Sequence, residues 1–270
     1  MKRLFVFSLF VICVTLMISS CAYPAEDPAV SNTPSTMLSG TETAVDTTAN
    51  NAVATAPTHG NTAPTAPPVN DPYPQYVQTD INEIIEGSDQ HRNNWTIPIC
   101  IPKLLPFSQD AIACQHEIYS YFYSNVEGIR NDSSQGCWPT VSSIQHRVYL
   151  NEDILSVVIQ ESTNIDIDIY HVYNFNIKSG KQLNTEELMN ELQILDYKEK
   201  IAEAAKDFYK ANNVGFEKDK DYNERLEQTI GTENITKAAP YITDNGSIMV
   251  VVNIYSLAGA EYYPKAIPLA

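Results

Sequence analysis

The sequence predicts an α+β fold, in which a mainly antiparallel sheet packs against helices, preceded by a disordered stalk. One strand and one long helix come first, a meander of strands follows up to residue 177, and a run of helices then leads to a closing hairpin after Pro240. This order lacks the alternation of single strands with single helices that is typical of a parallel sheet. The segment before residue 73 instead has the composition of an unfolded chain.

The chain opens with an export signal. Two basic residues precede an apolar run over residues 4–18, and two serines then lead into Cys21. The run is shorter than the ~20 residues of a membrane-spanning helix, which favours cleavage over insertion. A Cys after small residues resembles the lipobox of bacterial lipoproteins, whose Cys carries a diacylglyceryl group. We expect residues 1–20 to be removed and Cys21 to anchor the chain to the outer face of the cell membrane, with an ordinary signal peptide as the alternative.

Residues 21–72 are predicted to form the stalk. Beyond the anchoring cysteine this segment holds eight prolines, many Thr and Ala residues, and no Lys or Arg. Such a composition cannot bury enough apolar surface to offset the entropy of ordering the chain. We therefore expect a flexible spacer that lifts a folded domain, residues 73–270, away from the bilayer.

The charge of the chain restricts its partners. With 17 basic and 33 acidic side chains, the formal net charge is −16. Removal of Lys2 and Arg3 with the signal would bring the charge to −18. Nucleic acid is excluded as a partner, because its binding depends on Lys and Arg contacts to phosphate. Anionic lipid headgroups would also repel such a surface, so the lipid on Cys21 has to provide the attachment, and basic partners are favoured.

Three cysteines remain in the exported domain, at positions 100, 114 and 137. An odd number allows at most one intramolecular disulfide, and three pairings are open. A disulfide between Cys114 and Cys137 is the candidate, since the compartment permits one. The alternative is three buried thiols that act as small hydrophobic side chains.

Periodicity predicts the elements around the first helix. Ser108 is placed as the N-cap of a helix that runs to about residue 129 and packs Ile118, Phe122 and Val126 on a sheet. Alternation and turn signals predict strands over residues 95–101, 141–150, 154–160, 164–177, 248–255 and 266–269. We expect the segments 165–177 and 248–255 to belong to the same sheet.

The order of these segments resembles that of a known family. The matching stretches are the Ile-Pro strand 97–101 and the segments 148–158, 172–183, 241–252 and 255–260. They are similar to the extracellular domain of the anti-sigma factor RsiV, which also occurs as the accessory domain of the peptidoglycan deacetylase PdaC. The resemblance covers about residues 95–269, and it depends on the order and spacing of the segments.

This resemblance implies a sensor or binding module of the cell envelope, which in RsiV captures lysozyme. It does not imply a sigma-factor role, because only three residues precede the apolar run. Nor does it imply deacetylase activity, which resides in a separate domain. The family often has a Gly-rich, His-containing segment before the Tyr-Asn-Phe strand. This chain has residues 164–169 at the position of that segment. We therefore do not assign to these residues a ligand contact by analogy with the family.

The motif search assigns no catalytic residue, metal or cofactor. Successive histidines are at least 25 positions apart, whereas two ligands of one zinc ion are commonly three to five residues apart. The chain also lacks a nucleophile elbow, a phosphate-binding glycine loop and a dinucleotide fingerprint. An enzyme would therefore need an active site assembled from dispersed residues.

Two places carry candidate ligand-binding residues, and the first is the strand 164–177. Asp166 and Asp168 are predicted to share its polar face, where they could coordinate a cation or meet a basic partner, or simply face water. His171 is predicted on the apolar face as a hydrogen-bonded core residue.

The second place is the loop before the last strand, where Glu261, Tyr262 and Tyr263 combine an acid with two aromatic rings. Such surfaces serve recognition, although tyrosines near a hairpin end also pack in ordinary cores. Together these features predict a non-catalytic binding module for a basic protein such as lysozyme or for a cell-wall glycan. The alternatives are an envelope hydrolase with a dispersed active site and a structural lipoprotein without a ligand.

Overall fold

The computed structural model describes residues 71–89, 91–258 and 261–269. They all belong to a compact unit that spans His59–Ala270. The export signal, Cys21 and nearly all of the predicted stalk lie outside the described residues. Among the helices that the structure describes, none has the length and apolarity needed to cross a membrane.

The described residues form the predicted succession of strands and helices, preceded by a strand, β1, that was not predicted. The strands are β1 (Val77–Ser88), β2 (Asn94–Leu104), β3 (Val141–Asn151), β4 (Ile154–Thr163), β5 (Asp168–Asn176), β6 (Lys181–Leu183), β7 (Ala239–Ile242), β8 (Ile248–Tyr255) and β9 (Tyr262–Pro268). The helices are α1 (Gln109–Gln135), α2 (Thr185–Glu191), α3 (Tyr197–Asn212), α4 (Tyr222–Ile230) and α5 (Thr232–Thr236).

The larger sheet has six strands in the order β1-β2-β3-β4-β5-β6. Its neighbours are antiparallel except β2 and β3, which run parallel and meet at the single pair Ile99 and Ile144. The smaller sheet, β7-β8-β9, is antiparallel throughout. The predicted α+β class with mainly antiparallel sheets is therefore confirmed.

Helix α1 covers one face of the larger sheet. Its first turn is capped by Ser108, whose Oγ accepts a hydrogen bond of 3.0 Å from the backbone N–H of Ala111. The helix ends at Gly136, which adopts the left-handed conformation with a φ of 68°. Phe122 on the helix and Phe175 on β5 are fully buried in the core between them. The predicted packing of this helix on a sheet is confirmed.

The smaller sheet packs on the opposite face of the larger one. Val158 of β4, Tyr241 of β7 and Val251 of β8 form a buried cluster between the two sheets. The predicted single sheet that contained both 165–177 and 248–255 is wrong, because β5 and β8 belong to different sheets. β8 is a nearly continuous apolar run and β4 is buried along most of its length, as expected of strands that are covered on both faces.

Helices α3, α4 and α5 cover the outer face of the smaller sheet. Their buried side chains, Tyr209 of α3 among them, form one cluster with Val250, Val252 and Ile254 of β8. The domain therefore has four layers: α1, the six-stranded sheet, the three-stranded sheet, and the remaining long helices.

The predicted disulfide between Cys114 and Cys137 is wrong in this structure. Cys114 is a free thiol on the buried face of α1, and Cys137 follows the C-cap of the same helix. A continuous helix rises 1.5 Å per residue, so this spacing places the two residues about 30 Å apart. Disulfide bonding requires Cα atoms within about 7 Å of each other.

Candidate functional site

The predicted same-face pair of Asp166 and Asp168 is not present. Strand β5 begins only at Asp168, and Asp166 lies in the preceding turn with a φ of 59°, in the left-handed region. The alternation that would align two carboxylates therefore does not extend to Asp166. The Asp168 carboxylate accepts hydrogen bonds from the hydroxyl groups of Ser162, at 2.7 Å, and Tyr170, at 3.3 Å. Asp168 is thus held within the sheet surface.

His171 lies on the face of β5 that packs against α1. Its ring is 4.6 Å from the ring of Tyr121 and 5.0 Å from that of Phe122, measured between centroids. The predicted hydrogen bond is missing, because Nε2 is buried without a partner among the described residues. Burial lowers the pKa of His171, since the charged imidazolium would lose its hydration. The side chain is therefore a neutral, incompletely satisfied imidazole.

A buried carboxyl group lies on the same face of the sheet. Glu161 of β4 is paired with Ile169 of β5, and its Oε2 accepts a hydrogen bond of 3.2 Å from the Asn125 amide on α1. Burial raises the pKa of Glu161 above its usual value, and the bond from Asn125 opposes this rise. Sequence analysis did not single out this residue.

The predicted loop residues lie at the start of β9. Tyr262 is paired with Tyr255 of β8, and their ring centroids are 5.6 Å apart. Tyr263 is half-buried against the core of the smaller sheet, and burial raises its pKa, so its hydroxyl remains protonated at neutral pH. Glu261 is exposed at the beginning of the strand. The structure thus brings Tyr262 together with a third tyrosine, Tyr255, whereas Tyr263 faces the opposite side of the smaller sheet and packs with Ile254.

Tyr255 and Tyr263, but not Tyr262, border a surface pocket of about 350 Å³, which we call the aromatic pocket. One wall comes from the loop between α3 and α4, and the other from the end of β8 and the start of β9. The lining residues are Asn213, Phe216, Asp219, Tyr255, Ser256, Leu257, Ala258 and Tyr263.

The aromatic pocket combines apolar walls with a few polar groups. Phe216 is 56% exposed, so its ring is accessible to a ligand in the pocket. The Asp219 carboxylate accepts a hydrogen bond of 2.9 Å from the backbone N–H of Asp221, which fixes its position beside the pocket. Rings, a carboxylate and the Asn213 amide in one concave site are typical of ligand-binding pockets.

Sequence reasoning missed Phe216 and Asp219. They lie in a charged helix-to-helix loop, in which periodicity gives no signal. The one available signal was an aromatic residue next to a glycine in that loop. Gly215 has a φ of 90°, so the loop turns sharply there and presents Phe216 outward.

A second cluster joins a thiol, an imidazole and a carboxylate near the junction of β2 and β3. The His146 Nδ1 lies 3.2 Å from the Cys100 carbonyl oxygen and 3.5 Å from its Sγ, and Nε2 is 4.0 Å from the Asp71 carboxylate. A carbonyl only accepts, so the bond requires a proton on Nδ1. Burial raises the pKa of Cys100 and lowers that of His146, which opposes a thiolate–imidazolium pair.

In the described ranges, no three His, Cys, Asp or Glu side chains are arranged to hold a metal ion. We therefore interpret the contacts around His146 as side-chain packing at the place where β2 and β3 pair through one residue of each strand.

Comparison with known proteins finds similar chains among solved structures. No model of a known protein family matches the chain, and no curated protein matches it. The chain is similar to a solved structure from Bacteroides fragilis described as a member of the DUF3298 family. The two are 13% identical, with 71% of this chain and 88% of that chain covered and a TM-score of 0.33. Function is therefore inferred from the residues of this domain.

Proposed function

We propose that the chain is a lipid-anchored lipoprotein of the cell membrane whose folded domain is a non-catalytic binding or sensing module facing outward. Residues 1–20 direct export, Cys21 carries the diacylglyceryl group, and residues 21–72 hold the domain away from the bilayer. Two acyl chains give stable anchoring without any spanning helix. The support for this part is the order of basic, apolar and small residues before Cys21.

The aromatic pocket is the observation that carries the binding role. Its volume of about 350 Å³ can take one large side chain or one sugar ring. In the described residues that line it, no nucleophile is paired with a base, which favours binding over catalysis. Ser256 accepts a hydrogen bond of 2.9 Å from the backbone N–H of Ala258, so its hydroxyl is engaged in the loop.

A basic protein such as lysozyme is the ligand that the charges favour. A Lys or Arg side chain that enters the pocket would meet the Asp219 carboxylate and the face of an aromatic ring, and such cation–π contacts contribute about 0.5–2 kcal/mol. The formal charge of −16 would steer a cationic protein toward the domain. The resemblance to RsiV supplies lysozyme as the specific candidate.

A cell-wall glycan is the second candidate. The rings of Phe216 and Tyr263 offer flat apolar surfaces for a sugar ring, while the Asn213 amide offers a hydrogen-bonding group. The resemblance to the accessory domain of PdaC, a peptidoglycan deacetylase, points to the same class of ligand.

Titration calorimetry with the chain from residue 22 onward tests the proposal, with lysozyme and a peptidoglycan oligosaccharide as separate ligands. At about 0.15 M salt, where the Debye length is ~8 Å, generic charge attraction is largely screened. Phe216→Ala should weaken binding about tenfold, which corresponds to ~1.4 kcal/mol. Leu195→Ala is the matched control, since Leu195 is also highly exposed but lies outside the pocket.

Asp219→Asn separates the two ligand classes. The substitution keeps the shape of the side chain and removes its charge, so it should weaken the binding of lysozyme much more than that of the oligosaccharide. Failure of both ligands to bind, or equal binding by the Phe216→Ala and Leu195→Ala variants, would contradict the proposal.

A further inference from the structure

Strand β5 has an open edge over most of its length. β6 pairs only with residues 174–176 of β5, so residues 168–173 have β4 as their one strand partner in the described part of the chain. Burial follows the same boundary: residues 168–173 are all half-buried, whereas Asn174 and Phe175, beside β6, are buried. In an antiparallel ladder every second residue directs its N–H and C=O away from the neighbour, so about three residues here offer both groups to a further strand.

The other sheet edges are protected. β9 carries Pro264, Lys265 and Pro268, and β7 carries Pro240, and these residues disfavour strand addition. On the β1 edge, the Ser133 hydroxyl of α1 donates a hydrogen bond of 2.8 Å to the Glu86 carbonyl. Residues 168–173 contain neither Pro nor Lys.

The two sides of the open edge differ in chemistry. Toward the smaller sheet lies a pocket of about 150 Å³, whose lining includes Tyr170 of β5 together with the apolar side chains of Ala239 and Pro264. The cationic group in that lining, Lys237, is already paired with Glu233 at 2.7 Å.

Toward α1 lie Tyr121, which is 41% exposed, and the half-buried His171 with its unpaired Nε2. Two carboxyl groups are close to this side. Glu161 accepts a hydrogen bond from the Asn125 amide on α1. Glu117 is close enough to Tyr173 of β5 to interact with it electrostatically. An added strand would therefore place alternate side chains in an apolar pocket and beside acidic and aromatic groups.

We propose that residues 168–173 bind an extended peptide segment with alternating apolar and basic side chains, which adds to the larger sheet as a further strand beside β5. The apolar side chains enter the pocket beside Tyr170, and the basic ones lie over Tyr121 near Glu117 and Glu161. Main-chain hydrogen bonds supply affinity and the alternation supplies specificity. The inference deepens the proposed function and rests on it for the basic character of the partner.

Amide hydrogen exchange of the chain from residue 22 onward tests the inference, with the capped heptapeptide Val-Lys-Val-Lys-Val-Lys-Val as the probe. At saturating peptide, the outward amides among residues 168–173 should exchange at least about tenfold more slowly, because they gain hydrogen-bond partners. The amides of β1, residues 77–88, should be unaffected. Peptides with Glu in place of Lys, or with alternate backbone nitrogens methylated, should give no protection.

Two tyrosines on α1 provide a matched pair of variants. Tyr121→Ala should weaken binding of the heptapeptide about tenfold, because Tyr121 lies beside His171 of β5. Tyr119→Ala should leave it unchanged, since the 50% exposed Tyr119 stacks instead on Tyr123, whose hydroxyl donates a hydrogen bond to Asp80 of β1. Thermal melting of both variants shows whether each remains folded.

Absence of protection at residues 168–173, protection at β1 instead, or equal binding by the Glu peptide would overturn the inference. These outcomes are distinct from failure of the proposed function. If Phe216→Ala still weakens lysozyme binding while residues 168–173 stay unprotected, the aromatic pocket is supported as a binding site and peptide binding at the β5 edge is rejected. If lysozyme and the oligosaccharide fail to bind while the heptapeptide protects residues 168–173, peptide binding at the β5 edge is supported and the proposed function is rejected.

Discussion

Asn174 on β5 donates a hydrogen bond of 2.9 Å to the carbonyl oxygen of Pro240 on β7, and so joins the two sheets through their buried interface. The amide oxygen of Asn174 in turn accepts a bond of 2.7 Å from the Ser156 hydroxyl, whose oxygen lies 3.2 Å from the backbone N–H of Ile242. Both polar side chains are buried, and each is satisfied by the other and by β7. The network therefore sets the position of the smaller sheet on the larger one.

Breaking this network should destabilise the domain. Ser156→Ala leaves the Ile242 N–H without its acceptor and removes a donor to Asn174, and an unsatisfied buried group costs about 1–3 kcal/mol. Urea unfolding monitored by tyrosine fluorescence gives the change. Ser120→Ala, on the exposed side of α1, is the control and should change the unfolding free energy by less than about 0.5 kcal/mol. Equal effects of the two substitutions would show that the network does not hold the sheets together.

The two buried histidines should respond oppositely to replacement by phenylalanine. His171→Phe removes the unpaired Nε2 and keeps a ring beside Tyr121, so the unfolding free energy should rise by about 1 kcal/mol. His146→Phe removes the donor to the Cys100 carbonyl and should be destabilising. Thermal melts at about pH 8, where both imidazoles are neutral, separate the two. A loss of stability in His171→Phe as large as in His146→Phe would contradict the assignment.

The same substitution at His171 should change the pH dependence of stability. Burial lowers the pKa of His171 in the folded state, so its neutral form is preferred there and unfolding takes up a proton at acid pH. The stability associated with the neutral form is present above the unfolded pKa of ~6.5 and is lost as the pH falls below it. The advantage of His171→Phe should therefore be larger at about pH 5 than at pH 8. An advantage that shrinks toward acid would mean that the folded pKa is raised.

Truncation of a core side chain, either on α1 or on the sheet beneath it, should strongly lower the free energy of unfolding. Phe122 and Phe175 are fully buried, and large-to-small changes at such positions cost about 3–5 kcal/mol. Phe122→Ala and Phe175→Ala can each be measured by urea unfolding of the chain from residue 22 onward. A loss under about 1 kcal/mol at both positions would mean that the packing of α1 on the sheet is wrongly described.

Anchoring can be tested apart from the fold. Cys21→Ala removes the thiol that would receive the lipid, so the protein should appear in the culture medium instead of the membrane fraction. The melting temperature of the folded domain should not change. Retention of the variant in membranes would show that the apolar run of residues 4–18 is an uncleaved anchor.

Local signals predicted most of the fold. Ser108 caps α1 as expected, Asn184 caps α2 with a full capping box, and Gly180 makes a turn with a φ of 74°. Asp196 and Asp221 are each followed three residues later by Glu, which is the pattern of a capping box, yet neither aspartate side chain makes a capping hydrogen bond. A sequence pattern shows that a cap is possible, but the entry of the chain into the helix decides whether it forms.

Strand β1 was missed because a charge interrupts its alternation. Glu83 occupies an inward position, paired with Ile99, and is neutralised by Arg130 of α1 at 2.6 Å. A partner 47 residues away cannot be seen in a local pattern. The aromatic pocket was not predicted for the same reason, since Phe216 and Tyr263 come together only when the helices pack on the smaller sheet.

Chemical-shift mapping by NMR tests the central claim most directly, because it reports binding and its place together. The chain from residue 22 onward would be titrated with lysozyme at about 0.15 M salt, where screening limits non-specific attraction. The binding account predicts saturable shifts at micromolar concentrations that are centred on the backbone amides of Phe216, Asp219, Tyr255 and Tyr263. Shifts that are absent, that appear only at low salt, or that spread over the acidic surface without including these residues would contradict it.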